Sequence, residues 1–191
     1  MADPLDLQQI SAALRRVSWV RFWIQMALGV VVVGVLLFNN IGGRVAANAE
    51  RALGLGPGLS LTTLSFLVLL WSLWQGWLVV SCGRALASPV KPSKGETARL
   101  LKRGLLADLA GLTLAAIGYQ ALAGSLFLQA SLQAPGLFGP MAIQGQRGQI
   151  STYPITSIEM LSVLSNTQVM FAHLIGLGVS LWLLQRIYRR S

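Results

Sequence analysis

Four long apolar stretches constrain this chain more than any other feature, because each has the length of a membrane-spanning helix. About 20 residues suffice for an α-helix to cross a bilayer. The predicted spans are residues 18–38, 59–80, 105–128 and 160–184. The second of them contains no charged residue. We therefore predict an all-α fold, in which residues 1–191 form a single four-helix membrane domain.

Composition favours the lipid bilayer over nucleic acid as the partner. The chain is 11% charged and 54% hydrophobic, whereas soluble domains carry about 25% charged residues. The net charge of +9 is interpreted as membrane topology and lipid contact, because no basic stripe is interleaved with stacking aromatic residues. The single cysteine, Cys82, excludes an intrachain disulfide and a cysteine metal cluster.

The distribution of basic residues predicts the orientation of the helices. Twelve lie in the N-terminal lead, the loop 81–103 or the C-terminal tail, and three lie in the other two connections. Basic segments stay on the cytoplasmic side of a membrane. Both termini and the loop 81–103 should therefore face the cytoplasm or its stromal equivalent, and the long loop 129–158 should face away from it.

The ends of the spans carry shorter helical patterns. Residues 1–16 have apolar residues at helical spacing, which predicts either an amphipathic helix on the membrane surface or an ordered lead-in to the first span. Residues 44–53 are expected to form a short surface helix. Residues 96–103 are expected to form a helix that feeds the third span.

The fourth span carries a polar stripe along one helical face. Its members recur at three, four or seven residues and include Glu159, Ser162, Asn166, His173, Gly176 and Ser180. A polar stripe that faced lipid would be costly, so it should face protein or water. With Asp108 of the third span, its polar members form a candidate polar path: His173, Asn166, Ser162, Ser180, Asp108 and Glu159.

The third span has a face of small residues that predicts close helix packing in lipid. The candidate packing residues are Gly104, Gly111, Ala115 and Gly118, with Gly176 on the fourth span. We expect Gly111, Ala115 and Gly118 to pack against the stripe at Asn166, His173 and Gly176. The same face could drive homo-oligomerisation or assembly into a larger complex.

Two ionisable residues within the spans are interpreted differently. Asp108 is expected near the membrane interface, paired with Arg21 or Arg103, both of which can snorkel there. A proton or cation relay is the alternative. His173 should lie about 10 Å deeper, counted from Leu105 and Leu184 as interface positions, so that it does not pair directly with Asp108.

Three interpretations of His173 stay open. It is a hydrogen-bonded structural residue, a ligand along a cation path, or an axial ligand to a tetrapyrrole such as chlorophyll. Trp71, Trp74 and Trp77 likewise predict an interfacial aromatic belt or, alternatively, a pigment or ligand platform. No metal site is assigned, because the candidate oxygen and imidazole ligands lie at different heights along the helices.

Three stretches together carry a family resemblance. They are Arg16–Gly29, Lys102–Gly111 and Asn166–Ile187, of which the last is the most specific. The chain resembles cyanobacterial relatives of the chloroplast inner-envelope family described both as a permease and as a translocon component. That resemblance implies a four-helix protein of an inner or thylakoid membrane, with proposed roles in iron movement and in protein import.

The sequence leaves two classes of function. No phosphate loop, nucleophile–base set or zinc spacing occurs in it, so an enzyme is not expected. One class is a permease, with iron or another metal cation as substrate. The other is a non-catalytic accessory or assembly subunit of a photosynthetic or protein-translocation complex.

Overall fold

The protein is a bundle of four α-helices in the computed structural model. The structure describes residues 4–45, 55–86, 92–133 and 157–189. Helix α1 runs from Pro4 to Val45, α2 from Leu55 to Ala85, α3 from Lys94 to Gln133 and α4 from Ser157 to Arg189. Each contains a stretch long and apolar enough to cross a membrane. The prediction of an all-α, four-span protein is confirmed, and no strand occurs in the described ranges.

The helices extend well beyond the predicted spans at the basic end of the bundle. The predicted loop 81–103 is shorter than expected, since α2 continues to Ala85 and the α2–α3 connection is residues 86–93. The expected helix at 96–103 is confirmed as the first part of α3. Helix α3 starts at a capping box, in which Glu96 N donates to Ser93 Oγ (3.1 Å) and Ser93 N donates to Glu96 Oε2 (2.8 Å). Ala98 and Leu101 then continue its buried face, so the helix forms although its other face is basic.

Helix α1 is continuous from Pro4, which decides between the two alternatives for the N-terminal lead within the described residues. Leu14 is buried, and the Ser11 hydroxyl donates to the Gly83 carbonyl of α2 over 2.7 Å. The lead is therefore an ordered extension of the first span that packs on α2. The expected helix at 44–53 and the loop 129–158 lie almost entirely outside the described residues.

The bundle has α1 and α3 on one diagonal and α2 and α4 on the other, shorter one. One apolar layer lies at the basic end and includes Leu14, Leu101, Leu183 and Ile187. A second layer contains Val32, Ala115 and Val169. The level between these two layers is occupied by polar and charged side chains, which are the candidate site.

The outer surface of the bundle is apolar over most of the described helices. Large side chains exposed there include Val30, Leu67, Trp71, Trp74, Trp77, Leu106, Ile117, Phe127, Phe171 and Leu181. The rings of Trp71 and Trp74 meet edge to face with centroids 4.9 Å apart. A lipid bilayer would cover such a surface.

Candidate functional site

The candidate site is a buried group of five side chains, the central cluster: Arg21, Gln25, Ser72, Asp108 and His173. All four helices contribute to it. Each of the five is at most 1% exposed, so the cluster is closed to solvent and to lipid in this conformation.

The Asp108 carboxylate is the centre of the cluster. Its Oδ2 pairs with Nη2 of Arg21 at 2.8 Å. Its Oδ1 accepts a hydrogen bond from the Ser72 hydroxyl (2.6 Å), lies 3.4 Å from Gln25 Nε2, and lies 3.2 Å from Nδ1 of His173. One carboxylate therefore ties α1, α2 and α4 to α3.

The Arg21 guanidinium donates hydrogen bonds from all three of its nitrogen atoms. Its Nη1 donates to Ser180 Oγ (2.9 Å), its Nη2 to Ser72 Oγ (2.7 Å), and its Nε to Gln25 Oε1 (3.2 Å). The predicted ion pair between Arg21 and Asp108 is thus present. The expectation that it forms by snorkelling to the interface is wrong, because Arg21 is 1% exposed inside the bundle.

The cluster lies near the middle of the spans rather than at their edge. Arg21, Ser72, Asp108 and His173 are each within about three residues of the midpoint of their candidate membrane span. The expected separation in depth between Asp108 and His173 is wrong, because the two side chains are in direct contact at 3.2 Å. The error came from taking Leu105 and Leu184 as positions of equal depth, which the contact between Asp108 and His173 excludes.

Hydrogen-bond chemistry restricts the protonation of His173. Its Nδ1 faces Asp108 Oδ1 and its Nε2 faces the Ser65 carbonyl oxygen, both at 3.2 Å. A carboxylate and a carbonyl oxygen only accept hydrogen bonds, so both contacts are satisfied together only when each ring nitrogen carries a proton. A neutral imidazole would lose one of the two.

The same contacts bear on two of the three interpretations of His173, the hydrogen-bonded residue and the axial ligand. Each ring nitrogen faces an oxygen atom at 3.2 Å, so a metal at either nitrogen would have to displace that contact. A tetrapyrrole macrocycle would also have to fit beside a ring that is fully buried and lies against Gly111. The axial-ligand interpretation is therefore incompatible with this conformation, and the hydrogen-bonded interpretation describes it.

The predicted small-residue contacts surround the cluster. A Cβ at Gly111 would overlap the His173 ring, and a Cβ at Gly176 would overlap the Asp108 carboxylate. At Gly118 a Cβ would lie 3.0 Å from Asn166 Nδ2, and at Gly104 it would lie 3.8 Å from Arg21 Nη1. Ala115 is fully buried in the apolar layer with Val169. Glycine at these positions lets the helix backbones approach closely, and the missing side chains leave space for the polar groups of the cluster.

The other candidate path residues lie at successive levels along α4. Ser180 belongs to the cluster level, as a partner of Arg21. Asn166 lies about two turns beyond His173 and donates from Nδ2 to Thr62 Oγ1 over 2.6 Å. Ser162 and Glu159 are buried still further along α4. The described residues contain no group of three potential metal-binding side chains of the His, Cys, Asp or Glu type.

Sequence reasoning named Arg21 of α1 but missed Gln25 of α1 and the contribution of α2. Gln25 lies one turn after Arg21, and Ser65 and Ser72 lie seven residues apart in a stretch without charge. Both spacings place the side chains on one helical face. Single hydroxyls and amides are common within spans, so the spacing alone did not identify them.

Comparison with known proteins shows the family of this chain. A family of proteins of unknown function, DUF3611, matches residues 4–188. The chain belongs to this family. A curated protein similar to it is Protein TIC 21, chloroplastic, from Arabidopsis thaliana, which is 22% identical over 182 residues.

That alignment covers 95% of this chain and 58% of the plant protein, so the chain spans little more than half the length of its relative. No solved structure matches the chain significantly. The four apolar helices and the similarity to a chloroplast protein identify this chain as an integral membrane protein. The resemblance noted from the sequence is thereby confirmed at the level of the family.

Proposed function

We propose that this protein is a proton-dependent permease for a metal cation, with iron as the first candidate substrate. The single observation that carries the proposal is the contact of the Asp108 carboxylate with both Arg21 and His173 in the middle of the bundle. Iron is the first candidate substrate because the inner-envelope family that the sequence resembles has been proposed to move it. The structure supports a charge-handling centre, and the choice of substrate rests on the resemblance.

The free-energy cost of placing ionisable residues within the spans supports a functional role for the cluster. Ionisable residues within membrane spans are rare and expensive, and they usually mark ion or proton pathways. Replacing a buried ion pair by apolar residues is often neutral or stabilising. A structural role alone therefore gives little reason to build Arg21, Asp108 and His173 into the centre of a small bundle.

Proton exchange at His173 would change the cluster in a defined way. When the imidazole is neutral, it cannot donate to both Asp108 and the Ser65 carbonyl. If it turns away from Asp108, the carboxylate is left with Arg21 as its one cationic partner. A metal cation prefers oxygen ligands such as this carboxylate and the neighbouring amide and hydroxyl oxygens. Loss of the proton would thus favour cation binding at Asp108, and its return would favour release.

Polar residues continue from the cluster toward the N-terminal end of α4. The Ser65 hydroxyl donates to the Gly111 carbonyl over 2.7 Å, and the Asn166–Thr62 pair lies beyond it. Asn166 is fully buried, yet its Oδ1 has no hydrogen-bond partner among the described residues. An unpartnered buried acceptor is costly, and it is suited to a passing hydrated cation.

Transport by the purified full-length protein in liposomes tests the proposal. Ferrous iron uptake should depend on an imposed proton gradient, and Asp108→Asn and His173→Gln should each reduce it at least tenfold. Glu96→Gln is the matched control, because Glu96 is an exposed capping residue of α3 and Gln also serves in a capping box. Absence of uptake by folded wild-type protein, or equal uptake by the Asp108 variant, would reject the proposal.

The second candidate is an accessory or assembly subunit of a larger membrane complex. The observation that favours it is the aromatic flank of α2, where Trp71, Trp74 and Trp77 are each about half exposed. Tryptophan is enriched at protein interfaces as well as at membrane interfaces. If this function is correct, replacing the three residues by leucine should release the protein from a larger complex on native gels without lowering its thermal stability.

A further inference from the structure

A pocket of about 330 Å³ opens between α1 and α2 near the basic end of the bundle. Three arginines and two apolar residues line it: Arg15, Arg16, Arg84, Trp19 and Val80. All three arginines are exposed, whereas Val80 is buried. No acidic residue is among the described residues that line the pocket. Its lining therefore combines three positive charges with an apolar wall.

Close contact between α1 and α2 brings the three charges together. At Gly83 the two helices approach so closely that a Cβ would lie 3.0 Å from Cγ of Arg15 and 3.3 Å from its backbone nitrogen. The Ser11 hydroxyl donates to the carbonyl oxygen of the same glycine. Because Arg84 directly follows Gly83, helix packing fixes its backbone beside that of Arg15.

The three arginines have no counter-charge among the residues that the structure describes. The ion pairs within those residues join Asp108 to Arg21 and to His173, and Glu96 is the capping residue of α3. Like charges that converge at short range repel one another. An anion in the pocket would turn this repulsion into attraction.

The arginines lie at the depth of the lipid headgroups. Arg15 precedes Gln25 of the central cluster by a helical rise of about 15 Å, and Arg84 follows Ser72 by about 18 Å. The central cluster lies near the middle of the spans, and the hydrocarbon core extends about 15 Å to each side of its middle. Trp19 is about 9 Å from the level of Gln25, so the apolar wall of the pocket lies within the hydrocarbon region.

An exposed aromatic surface continues from the pocket toward the middle of the membrane. Trp23 lies one turn beyond Trp19 on α1, and their ring centroids are 5.9 Å apart. Trp23 is 62% exposed. An acyl chain that leaves the pocket would lie along these two indoles, with its polar end among the arginines. This continuity favours a lipid over a free anion.

We propose that this pocket binds the phosphate headgroup of one anionic membrane phospholipid. Guanidinium groups bind phosphate oxygens through paired N–H donors, and basic pockets between spans on the cytoplasmic side bind anionic headgroups. Arg15 and Arg84, which belong to different helices, would hold the phosphate between them, and Arg16 would add the third charge. The bound lipid would thereby link α1 to α2 at the basic end of the bundle.

Native mass spectrometry of the full-length protein in neutral detergent tests this proposal, with phosphatidylglycerol, phosphatidylcholine and inorganic phosphate as probes. Both lipids contain a phosphate, but only phosphatidylglycerol has a net negative charge. Wild-type protein should prefer phosphatidylglycerol by about 25-fold or more, since two or more basic residues contribute about fivefold each. Arg15→Gln and Arg84→Gln should each reduce that preference about fivefold. An excess of inorganic phosphate should not displace the lipid.

Arg99→Gln is the matched control. Arg99 is an exposed arginine of α3 that lies about 14 Å from the level of Asp108, close to the depth of Arg15, and it does not line the pocket. Its replacement should leave the lipid preference unchanged. Phosphatidylglycerol should also raise the Tm of the wild-type protein more than that of Arg84→Gln. Equal binding of the two lipids, equal losses at positions 84 and 99, or displacement of the lipid by inorganic phosphate would overturn the proposal.

Discussion

The imidazole of His173 lies so close to the backbone of Gly111 that even a methyl group at position 111 would overlap the ring. The glycine therefore serves the cluster directly, since its missing side chain provides the space in which the imidazole reaches Asp108. Small residues at helix interfaces in membranes are commonly explained by close packing alone. Here the close approach also determines which polar groups meet.

Gly111→Ala is predicted to destabilise the bundle by about 1–3 kcal/mol, because the new methyl group must displace the His173 ring from a packed interior. Gly124→Ala is the control on the same helix, since a Cβ there meets nothing within 4 Å. Alanine at that position should be neutral or stabilise by about 0.5–1 kcal/mol through helix propensity. Thermal unfolding in detergent measures both, and equal stability of the two variants would contradict the contact.

Asp108→Asn is predicted to destabilise the protein by about 3–5 kcal/mol, because it leaves the Arg21 guanidinium buried without a counter-charge. Arg21→Gln should cost a similar amount for the converse reason. The double variant should be less destabilised than the sum of the two single variants, since it removes both charges together. Additive losses in unfolding free energy would show that the two side chains do not interact.

Isotope-labelled histidine allows His173 to be observed directly, because it is the chain's single histidine. In the conformation described, both ring nitrogens should carry protons, since each faces an acceptor. Nitrogen chemical shifts from the protein in detergent will show this. An unprotonated nitrogen in the wild-type protein would contradict the proposed hydrogen bonding.

The topology prediction can be tested with reporter tags. The N-terminal part of α1 and the C-terminal part of α4 meet in one apolar layer through Leu14 and Ile187. The basic residues of all four helices predict that this end faces the cytoplasm or its equivalent. Tags fused to the two termini should both report the cytoplasmic side. Tags that report opposite sides would exclude a four-span arrangement.

The number and the approximate positions of the helices could be predicted because each span is a continuous apolar run. The ends could not, because a helix does not stop where hydrophobicity stops. At the start of α3, the Ser93–Glu96 capping box and the buried Ala98 and Leu101 extend the helix through a basic segment. A helix over residues 96–103 of that segment was predicted, whereas its start at Lys94 was not.

The candidate site was predictable in its parts and not in its assembly. The stripe on α4 and the glycines of α3 could be identified from helical spacing, and Asp108 stood out as a charge in an apolar run. Their relative heights depended on the register between helices, which a single sequence does not contain. The choice of Leu105 and Leu184 as interface positions therefore separated Asp108 from His173 in the prediction, although the two are in contact.

The ion pair between Arg21 and Asp108 also has consequences for biogenesis, because its members are 87 residues apart in the chain. During co-translational insertion α1 enters the membrane before α3 has been synthesised, so Arg21 has no counter-ion at that stage. An unpaired arginine in lipid is unfavourable, so α1 alone is unstable as a membrane-spanning helix. Completion of the third helix is then the step that commits the chain to its native arrangement, and truncated products that end before Asp108 would be targets for membrane quality control.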